Sequence, residues 1–200
     1  REVLQAAAES GVRYYRANWF KYPKGLSMEE ALDRYGKQLK GLGKLNEKLN
    51  LIGCYQNHSG TAIGASIWEV KKILEKVNSN YFGAQYDIRH AVVEGARSWE
   101  NGLELIRNQI KTIVLKDFKW GQVGGQVKLI NTPIGEGMVD FKKYFKLLKV
   151  YKINVPVSLH LEYPIGGAEH GARTISVDQK VVFDAMKKDL TAIQKLWKEA

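Results

Sequence analysis

Short apolar segments alternate with longer amphipathic ones along the whole chain, and this alternation limits the fold more than any other feature. Five segments have the length and composition of β-strands, at residues 12–19, 51–58, 82–88, 112–117 and 155–162. Helical patterns follow them at about residues 27–50, 67–78, 99–110, 139–152 and 176–199. Because parallel strands need long crossover connections, these strand–helix units predict an α/β fold with a parallel sheet.

Polar side chains at the strand ends distinguish between the two kinds of parallel-sheet fold that share this alternation. They stand near the C-terminal end of every predicted strand: Arg16, Asn18, Gln56, His58, Asp87, His90, Lys116, Asp117, His160 and Glu162. An open doubly wound sheet gathers such groups at one point, beside a glycine-rich phosphate loop. A TIM barrel collects them from many strands. Since no glycine-rich loop leads into a helix here, the sequence predicts a TIM (β/α)8 barrel.

The number of units indicates that only part of the barrel is represented. A closed TIM barrel needs eight strands and roughly 250 residues, whereas this sequence has 200 residues. It contains about five β/α units, which correspond to the C-terminal part of a barrel. The sequence opens at Arg1 within a helical pattern. We therefore expect residues 1–200 to form a single domain, the C-terminal portion of a barrel whose N-terminal units are missing.

The charge is strongly basic, with a formal net charge of +10. The lysines alternate with apolar residues at helical spacing, as they do between Phe141 and Tyr151, which is typical of the solvated faces of amphipathic helices. We therefore expect no nucleic-acid partner. No apolar run approaches the roughly 20 residues of a membrane span. A cytoplasmic location is the default expectation, and export and assembly into a homo-oligomer both stay open.

The polar candidates have an ordinary structural interpretation beside the functional one. Asp87 and Glu162 could bind a divalent metal or transfer protons, or they could form ion pairs with Lys116 or Arg89. A histidine such as His58 or His90 is equally typical of a hydrogen-bonded wall residue. Lys116 is a candidate for a substrate contact or for a buried ion pair.

Three further features lie close to predicted strand ends. Cys54, the only cysteine, excludes an intramolecular disulfide and is expected to be a buried structural thiol. Segment 121–131 contains three glycines and is expected to be either a lid over a substrate or an ordinary surface loop. Aromatic side chains near strand ends could wall a sugar pocket: Trp19, Tyr55, Phe118 and Trp120.

Five motifs follow one another along the strand ends: Gln56-Asn57-His58, Asp87 with His90, Val114-Leu115-Lys116-Asp117, Pro133-Ile134-Gly135-Glu136-Gly137, and Glu162. In this combination and order the chain resembles the xylose isomerase-like TIM barrels, a family of sugar phosphate isomerases and epimerases. The resemblance spans nearly all of the sequence. Two positions depart from the family pattern, because Gln56 stands where the family has glutamate and Val114 where it has histidine.

The resemblance implies a divalent metal, Mg²⁺, Mn²⁺ or Zn²⁺, held by Glu, Asp, His and Glu on the last four strands. It also implies that the two glutamates move protons between sugar carbons. This chain keeps Asp87 and Glu162 and offers Gln56 as a third ligand. Glutamine can ligate through its carbonyl oxygen but cannot act as a base, and Val114 can do neither. A metal would therefore be loosely bound.

The resemblance implies residue roles as well. Catalysis is expected from Glu162 as the base, with His160 and Lys116. Substrate contacts are expected from a further set: His58, His90, Asn57, Trp19 and Arg16. The expected function is that of a sugar or sugar phosphate isomerase or epimerase that transfers a proton next to a carbonyl. A sugar-binding or non-isomerising barrel, for example one that catalyses an elimination, is the alternative because the metal site is incomplete. An endonuclease of the same superfamily is disfavoured, since the chain has only four histidines.

Overall fold

The computed structural model describes residues 1–200 and contains seven α-helices and seven β-strands. The helices are α1 (Glu2–Glu9), α2 (Met28–Leu49), α3 (Ile67–Val77), α4 (Ile88–Gly95), α5 (Trp99–Ile106), α6 (Phe141–Val150) and α7 (Gln179–Glu199). The strands are β1 (Tyr14–Arg16), β2 (Ile52–Gln56), β3 (Phe82–Asp87), β4 (Ile110–Leu115), β5 (Asp117–Val123), β6 (Gln126–Thr132) and β7 (Val157–Leu159). None of the helices is both long and apolar enough to cross a membrane.

Five of the strands form one sheet in the order β1-β2-β3-β4-β7. β1 and β2 pair in parallel with Arg16 opposite Cys54, and β2 and β3 pair in parallel with Gln56 opposite Gln85. Because these strands run the same way, their C-terminal ends meet at one edge, which carries Arg16, Gln56 and Asp87. The predicted α/β fold and its strand–helix alternation are confirmed.

The chain divides into two compact units. Unit 1 consists of Arg1–Ile113 with Val155–Val157, and unit 2 consists of Val114–Asn154 with Ser158–Ala200. The expectation that residues 1–200 form a single domain stays a prediction.

In unit 1, α2 packs against α3. α2 begins at a capping box, in which the Ser27 hydroxyl accepts a hydrogen bond from the Glu30 N–H and the Glu30 carboxylate accepts one from the Ser27 N–H,. Apolar residues on the inner face of α2, such as Leu32 and Leu39, are buried, and so is Ile73 on α3. Burial of one apolar stripe on each helix holds this layer of unit 1 together.

In unit 2, α6 packs against α7. The inner face of α6 buries Tyr144 and Leu148, and the Phe145 ring meets the Trp197 ring of α7 edge-on, with centroids 5.3 Å apart. The lysines of α6 lie on its outer face and are exposed: Lys142, Lys143, Lys146 and Lys149. The interpretation of the lysine-rich pattern as the solvated face of an amphipathic helix is confirmed.

Residues 117–132 form an antiparallel hairpin, β5 with β6, in which Asp117 lies opposite Thr132 and Val123 opposite Gln126. Gly124 and Gly125 form the turn with φ of 60° and 75°. Glycine adopts this left-handed geometry without a steric penalty, and two such residues match the twist of the flanking strands. The segment at residues 121–131 is thus part of a β-hairpin rather than an ordinary surface loop, and its role as a lid stays a prediction.

Helix α4 follows β3 without an intervening residue and is an element that the sequence patterns do not predict. Asp87 is the last residue of β3 and also the N-cap of α4, where its carboxylate accepts a hydrogen bond from the His90 N–H. An N-cap carboxylate satisfies a backbone donor that the helix itself leaves open and lies at the positive end of the helix dipole. The start of α4 therefore helps to hold Asp87 in place.

Candidate active site

The side chains of Gln56 and Asp87 meet at the C-terminal ends of β2 and β3. The parallel register places Gln56 opposite Gln85, so that Asp87 lies two residues further along on the same face of the sheet. Gln56 Nε2 donates a hydrogen bond to Asp87 Oδ2 over 2.8 Å, and both residues are buried. The sequence-based expectation that these two strand ends converge agrees with this contact.

Arg16, at the end of β1, contacts the other end of the Gln56 amide. Its Nη1 donates to Gln56 Oε1 over 2.9 Å. A guanidinium group can only donate and an ionised carboxylate can only accept, so the two partners fix the direction of the amide. Gln56 therefore links the guanidinium of Arg16 to the carboxylate of Asp87.

Asp87 is held from its backbone as well as from its carboxylate. Asn57 Nδ2 donates to the Asp87 carbonyl oxygen over 2.9 Å, and the Asp87 N–H donates to Asn57 Oδ1 over 2.8 Å. Asp87 Oδ1 also accepts the His90 N–H, at 3.2 Å. These contacts make Asn57 a positioning residue for Asp87, whereas the sequence suggested a substrate contact.

His90 is a buried histidine whose protonation pattern follows from its donors. Its Nδ1 lies 3.1 Å from the Ser59 N–H and 2.9 Å from Arg89 Nη1, and both of these groups are donors. Nδ1 must therefore accept, which puts the proton of a neutral ring on Nε2. Nε2 lies 3.7 Å from Asp87 Oδ2, so the His90 ring presents its N–H side to Asp87.

Rings extend from His90 to Arg16 in a row that we call the aromatic wall: His90, His58 and Trp19, with the Arg16 guanidinium at the end. The centroids of His90 and His58 are 4.0 Å apart, and those of His58 and Trp19 are 4.5 Å apart. Arg16 Cζ lies 4.5 Å from the Trp19 ring centroid, and Trp19 Nε1 donates to the Gln56 carbonyl oxygen over 3.1 Å. Four of the five predicted substrate-contact residues are therefore neighbours in unit 1.

In unit 2, Lys116, His160 and Glu162 form the second cluster. Lys116 Nζ donates to Glu162 Oε1 over 2.8 Å, and His160 Nδ1 lies 3.6 Å from the same oxygen. The side chain of Lys116 is only 4% exposed, whereas that of Glu162 is 35% exposed. The Asn131 amide on β6 donates to the Glu162 carbonyl oxygen over 3.0 Å and so supports the backbone beneath the carboxylate. All three predicted catalytic residues are brought together.

Asp117, next to Lys116 in the sequence, has a structural environment. Its carboxylate accepts four backbone N–H groups, from Phe118, Gly135, Gly137 and Val139. Burial raises the pKa of Asp117, although these four hydrogen bonds act in the opposite direction,. The Gly137 backbone lies so close that a β-carbon there would overlap the carboxylate. Asp117 therefore fixes the turn at residues 133–139.

Cys54 lies on β2 and is buried. Burial raises the pKa of its thiol to about 11, which leaves almost no thiolate at neutral pH. The interpretation of Cys54 as a buried structural thiol agrees with this environment.

The residues of unit 1 do not fit the divalent metal that the family resemblance implies. Gln56 Oε1, the atom that could bind a metal, faces the guanidinium of Arg16. Both oxygens of Asp87 accept N–H bonds. A cation about 4 Å from a guanidinium near the protein surface would be repelled by up to about 4 kcal/mol per unit charge, before screening by solvent is allowed for.

The residues of unit 2 fit a metal no better. Val114 is fully buried and has no ligand atom, and the Glu162 carboxylate is paired with the Lys116 ammonium. No group of three or more His, Cys, Asp or Glu side chains is arranged to hold a metal ion. The metal-ligand assignments for Gln56, Asp87 and Glu162 therefore do not agree with the arrangement of these side chains.

Two contacts of the site were not assigned from the sequence. Ser59 supplies its N–H and its hydroxyl to His90, the hydroxyl oxygen at 2.7 Å from Nδ1, and Arg89 contacts the same nitrogen. The sequence signal for these contacts is that Ser59 follows His58 and Arg89 precedes His90, because residues next to a functional side chain often orient it.

Comparison with a family of related sequences agrees with the fold. A family model described as xylose isomerase-like TIM barrel matches residues 1–177. This range contains all seven strands and ends before α7. No curated protein matches the chain significantly.

Solved structures share the fold at low sequence identity. The IOLI protein with a bound zinc atom gives a TM-score of 0.75 at 16% identity, over 98% of this chain and 68% of that one. A D-psicose 3-epimerase from Clostridium cellulolyticum, solved with D-tagatose, gives 0.73 at 13% identity, over 98% and 68%. The probable 3-DHS dehydratase AsbF from Bacillus anthracis gives 0.65 at 15% identity, over 84% and 64%. The chain thus spans less than two thirds of the dehydratase, and at these identities the likeness extends to the fold alone.

Proposed function

Because the chain belongs to the xylose isomerase-like TIM barrel family, we propose that it is an enzyme that abstracts a proton from the carbon next to the carbonyl group of a sugar or sugar derivative. The observation that carries this proposal is the Glu162–Lys116 pair. A base has to be ionised and within reach of its substrate. Glu162 faces an ammonium group at 2.8 Å and is 35% exposed, which supports both conditions.

Lys116 supplies charge stabilisation during this step. When Glu162 takes up the proton it becomes neutral, and the negative charge passes to the substrate oxygen as the enediolate forms. The ammonium of Lys116 is held in place by burial and does not have to reorganise to stabilise the new oxyanion. The pair therefore keeps its charge balance while the negative charge moves from the protein to the substrate.

His160 is the second proton carrier in this scheme. Its Nδ1 lies 3.6 Å from Glu162 Oε1 and its side chain is 31% exposed. Interconversion of a ketose and an aldose requires a proton to move between neighbouring oxygens as well as between neighbouring carbons. We assign the oxygen-to-oxygen transfer to His160, since an imidazole can both donate and accept near neutral pH.

The aromatic wall of unit 1 is the part of the chain that we assign to sugar binding. Trp19 and His58 present ring faces that suit the apolar face of a sugar, and both are partly exposed,. Arg16 and His90 add polar edges to the same row. This assignment carries forward the predicted substrate contacts, apart from Asn57.

Elimination of water is the second candidate reaction, and the amide at position 56 favours it. An epimerisation that inverts one carbon needs a base on one side of that carbon and an acid on the other. An amide can serve as neither. Elimination needs one base for the carbon-bound proton and one acid for the departing hydroxide, and Glu162 with His160 would be sufficient for both. The fold of a probable dehydratase is among those that the chain resembles.

Deuterium exchange tests the proposal directly. The protein is incubated in D2O with a panel of ketoses and 3-keto sugars, and the sugars are analysed by mass spectrometry and NMR. We expect deuterium next to the carbonyl of at least one sugar, and Glu162→Gln should slow its incorporation by about 100-fold or more. A product that has lost water identifies the elimination.

The matched control is Glu136→Gln, which alters another lysine-paired and half-exposed carboxylate of unit 2 and should leave exchange unchanged. Unchanged exchange in Glu162→Gln would contradict the assignment of the base. The absence of exchange with every sugar would contradict the enzymatic proposal, and sugar binding without turnover would then be the better description.

A further inference from the structure

We propose that Arg16 is the cationic ligand-binding group of unit 1 and stands in the place of a divalent metal ion, with Gln56 as the residue that positions it. The ligand atom is a negatively charged oxygen of a sugar derivative. Only the identity of this ligand rests on the proposed function, since the lack of metal binding follows from the side-chain contacts alone.

The direction of the Gln56 amide is the first support. Oε1 faces Arg16 Nη1 at 2.9 Å and Nε2 faces Asp87 Oδ2 at 2.8 Å. Turning the amide over would bring two donors together at Arg16 and two acceptors together at Asp87. Only one orientation is therefore compatible with both partners, and in that orientation the carbonyl oxygen points at the guanidinium.

The second support is that Arg16 and a metal exclude each other at this position. A metal bound by Gln56 Oε1 and Asp87 Oδ2 would have to break both hydrogen bonds of the amide. It would also lie beside the guanidinium of Arg16. With Arg16 present, the buried Asp87 already has a cation two hydrogen bonds away, and a divalent ion would leave the cluster with excess positive charge.

The third support is that Arg16 is rigid and still accessible. The guanidinium lies 4.5 Å from the Trp19 ring centroid, and Trp19 is itself anchored by its hydrogen bond to the Gln56 carbonyl. The side chain of Arg16 is exposed, and its hydrogen bond to Gln56 uses only Nη1. A guanidinium has five N–H donors in a planar fork, so further donors can reach a ligand oxygen.

Metal titration of the whole chain tests the proposal without reference to turnover. The protein is treated with a chelator, and MnCl2 is added while bound Mn²⁺ is followed by electron paramagnetic resonance and the melting temperature by calorimetry. We expect no stoichiometric site in the wild type. The double variant R16A/Q56E places two carboxylates side by side without the guanidinium, and its affinity for Mn²⁺ should rise by about tenfold or more.

The matched control is R34A/Q56E. Arg34 also stacks on an aromatic ring, that of Tyr35 at 5.9 Å, but the variant keeps Arg16 to pair with the new carboxylate, and it should gain no site. A stoichiometric Mn²⁺ site in the wild type that Asp87→Asn abolishes would overturn the proposal, and so would equal gains in the two double variants. The wild-type titration needs no variant to fold, and its result stands whether or not the chain turns over a sugar.

Discussion

Units 1 and 2 each contain a carboxylate beside an imidazole, yet the two pairs have very different surroundings. Asp87 and His90 lie 3.7 Å apart with side chains 0% and 2% exposed, whereas Glu162 and His160 lie 3.6 Å apart with side chains 35% and 31% exposed. A buried pair that is held by hydrogen bonds is suited to holding a shape. A partly exposed pair can be approached by a substrate. The same two chemical groups therefore support different roles, and burial rather than residue type separates them.

The cations of the two clusters also differ in burial, but in the opposite sense to the carboxylates. Arg16, in unit 1, is exposed and reaches its buried carboxylate through the Gln56 amide. Lys116, in unit 2, is buried and directly contacts the partly exposed carboxylate of Glu162. The group that a ligand can reach is thus the cation in unit 1 and the carboxylate in unit 2. This contrast is the reason for assigning binding to the first cluster and proton abstraction to the second.

The largest expected effect is the loss of stability in Asp87→Asn. Its two carboxylate oxygens accept N–H bonds from Gln56 and from the His90 backbone. The asparagine amide has only one acceptor oxygen, so that in either orientation its NH2 group faces another donor. We expect the free energy of unfolding to fall by about 3 kcal/mol, measured by urea denaturation.

Glu162→Gln is the matched change in unit 2, and it should lower the free energy of unfolding by about 1–2 kcal/mol, less than Asp87→Asn, because Lys116 is buried but Glu162 is partly exposed to solvent,. The amide oxygen can still accept the Lys116 hydrogen bond, and the side chain has contact with solvent. Equal losses in Asp87→Asn and Glu162→Gln would break the division into a structural and a reactive cluster.

An intermediate effect is expected where an asparagine supports each carboxylate residue. Asn57→Ala removes both hydrogen bonds to the buried backbone of Asp87 and should lower the free energy of unfolding by about 2 kcal/mol. Asn131→Ala removes the hydrogen bond to the Glu162 carbonyl in a partly exposed setting and should cost less than about 1 kcal/mol. Urea denaturation of the two variants gives the comparison, and a larger loss for Asn131→Ala would reverse it.

The smallest effect concerns Asp189, a buried carboxyl group on α7 of unit 2. Burial raises its pKa, although the Ile134 N–H and the Tyr163 hydroxyl act to lower it. The folded state therefore holds this proton more tightly than the unfolded state. Its contribution to stability is full below the usual range of an aspartate and is lost as the pH rises through the raised value.

Asp189→Asn, which carries no charge at any pH, should consequently be less destabilising at about pH 7 than at about pH 4, by roughly 1 kcal/mol or less. Urea denaturation at both pH values measures this difference. The exposed Asp184, on the same helix, provides the control, since Asp184→Asn should cost nearly the same at both. A greater loss in Asp189→Asn at neutral pH would contradict the sign.

Much of the fold is predictable because a helix or strand that buries one face shows a regular pattern of apolar residues in the sequence. The apolar runs of β2 and β3 and the amphipathic patterns of α2 and α6 follow directly from the faces that they bury. α4 could not be predicted because β3 passes into it at Asp87 with no separate start signal. The hairpin of β5 and β6 was missed because the pair Gly124-Gly125 is equally typical of a surface loop and of a tight turn.

Only those contacts of the site that follow from the register of the parallel strands can be predicted from the sequence. Parallel pairing makes the meeting of Gln56 and Asp87 an expected result. The direction of the Gln56 amide depends on the rotamer of Arg16, which a sequence does not display. Sequence likewise does not display that the Asp117 carboxylate is occupied by four backbone N–H groups while Lys116 pairs with Glu162.

The link that Gln56 forms between Arg16 and Asp87 makes the effects of mutation at these positions depend on their order. Glutamate introduced at position 56 first would meet the Arg16 guanidinium but would also place a second carboxylate oxygen against Asp87 Oδ2, so the change would cost stability without creating a metal site,. Loss of Arg16 first would leave the Gln56 amide oxygen without its donor,. Positions 16 and 56 are thus epistatic. The effect of changing both residues on metal affinity cannot be read from either single substitution, because the two residues depend on each other.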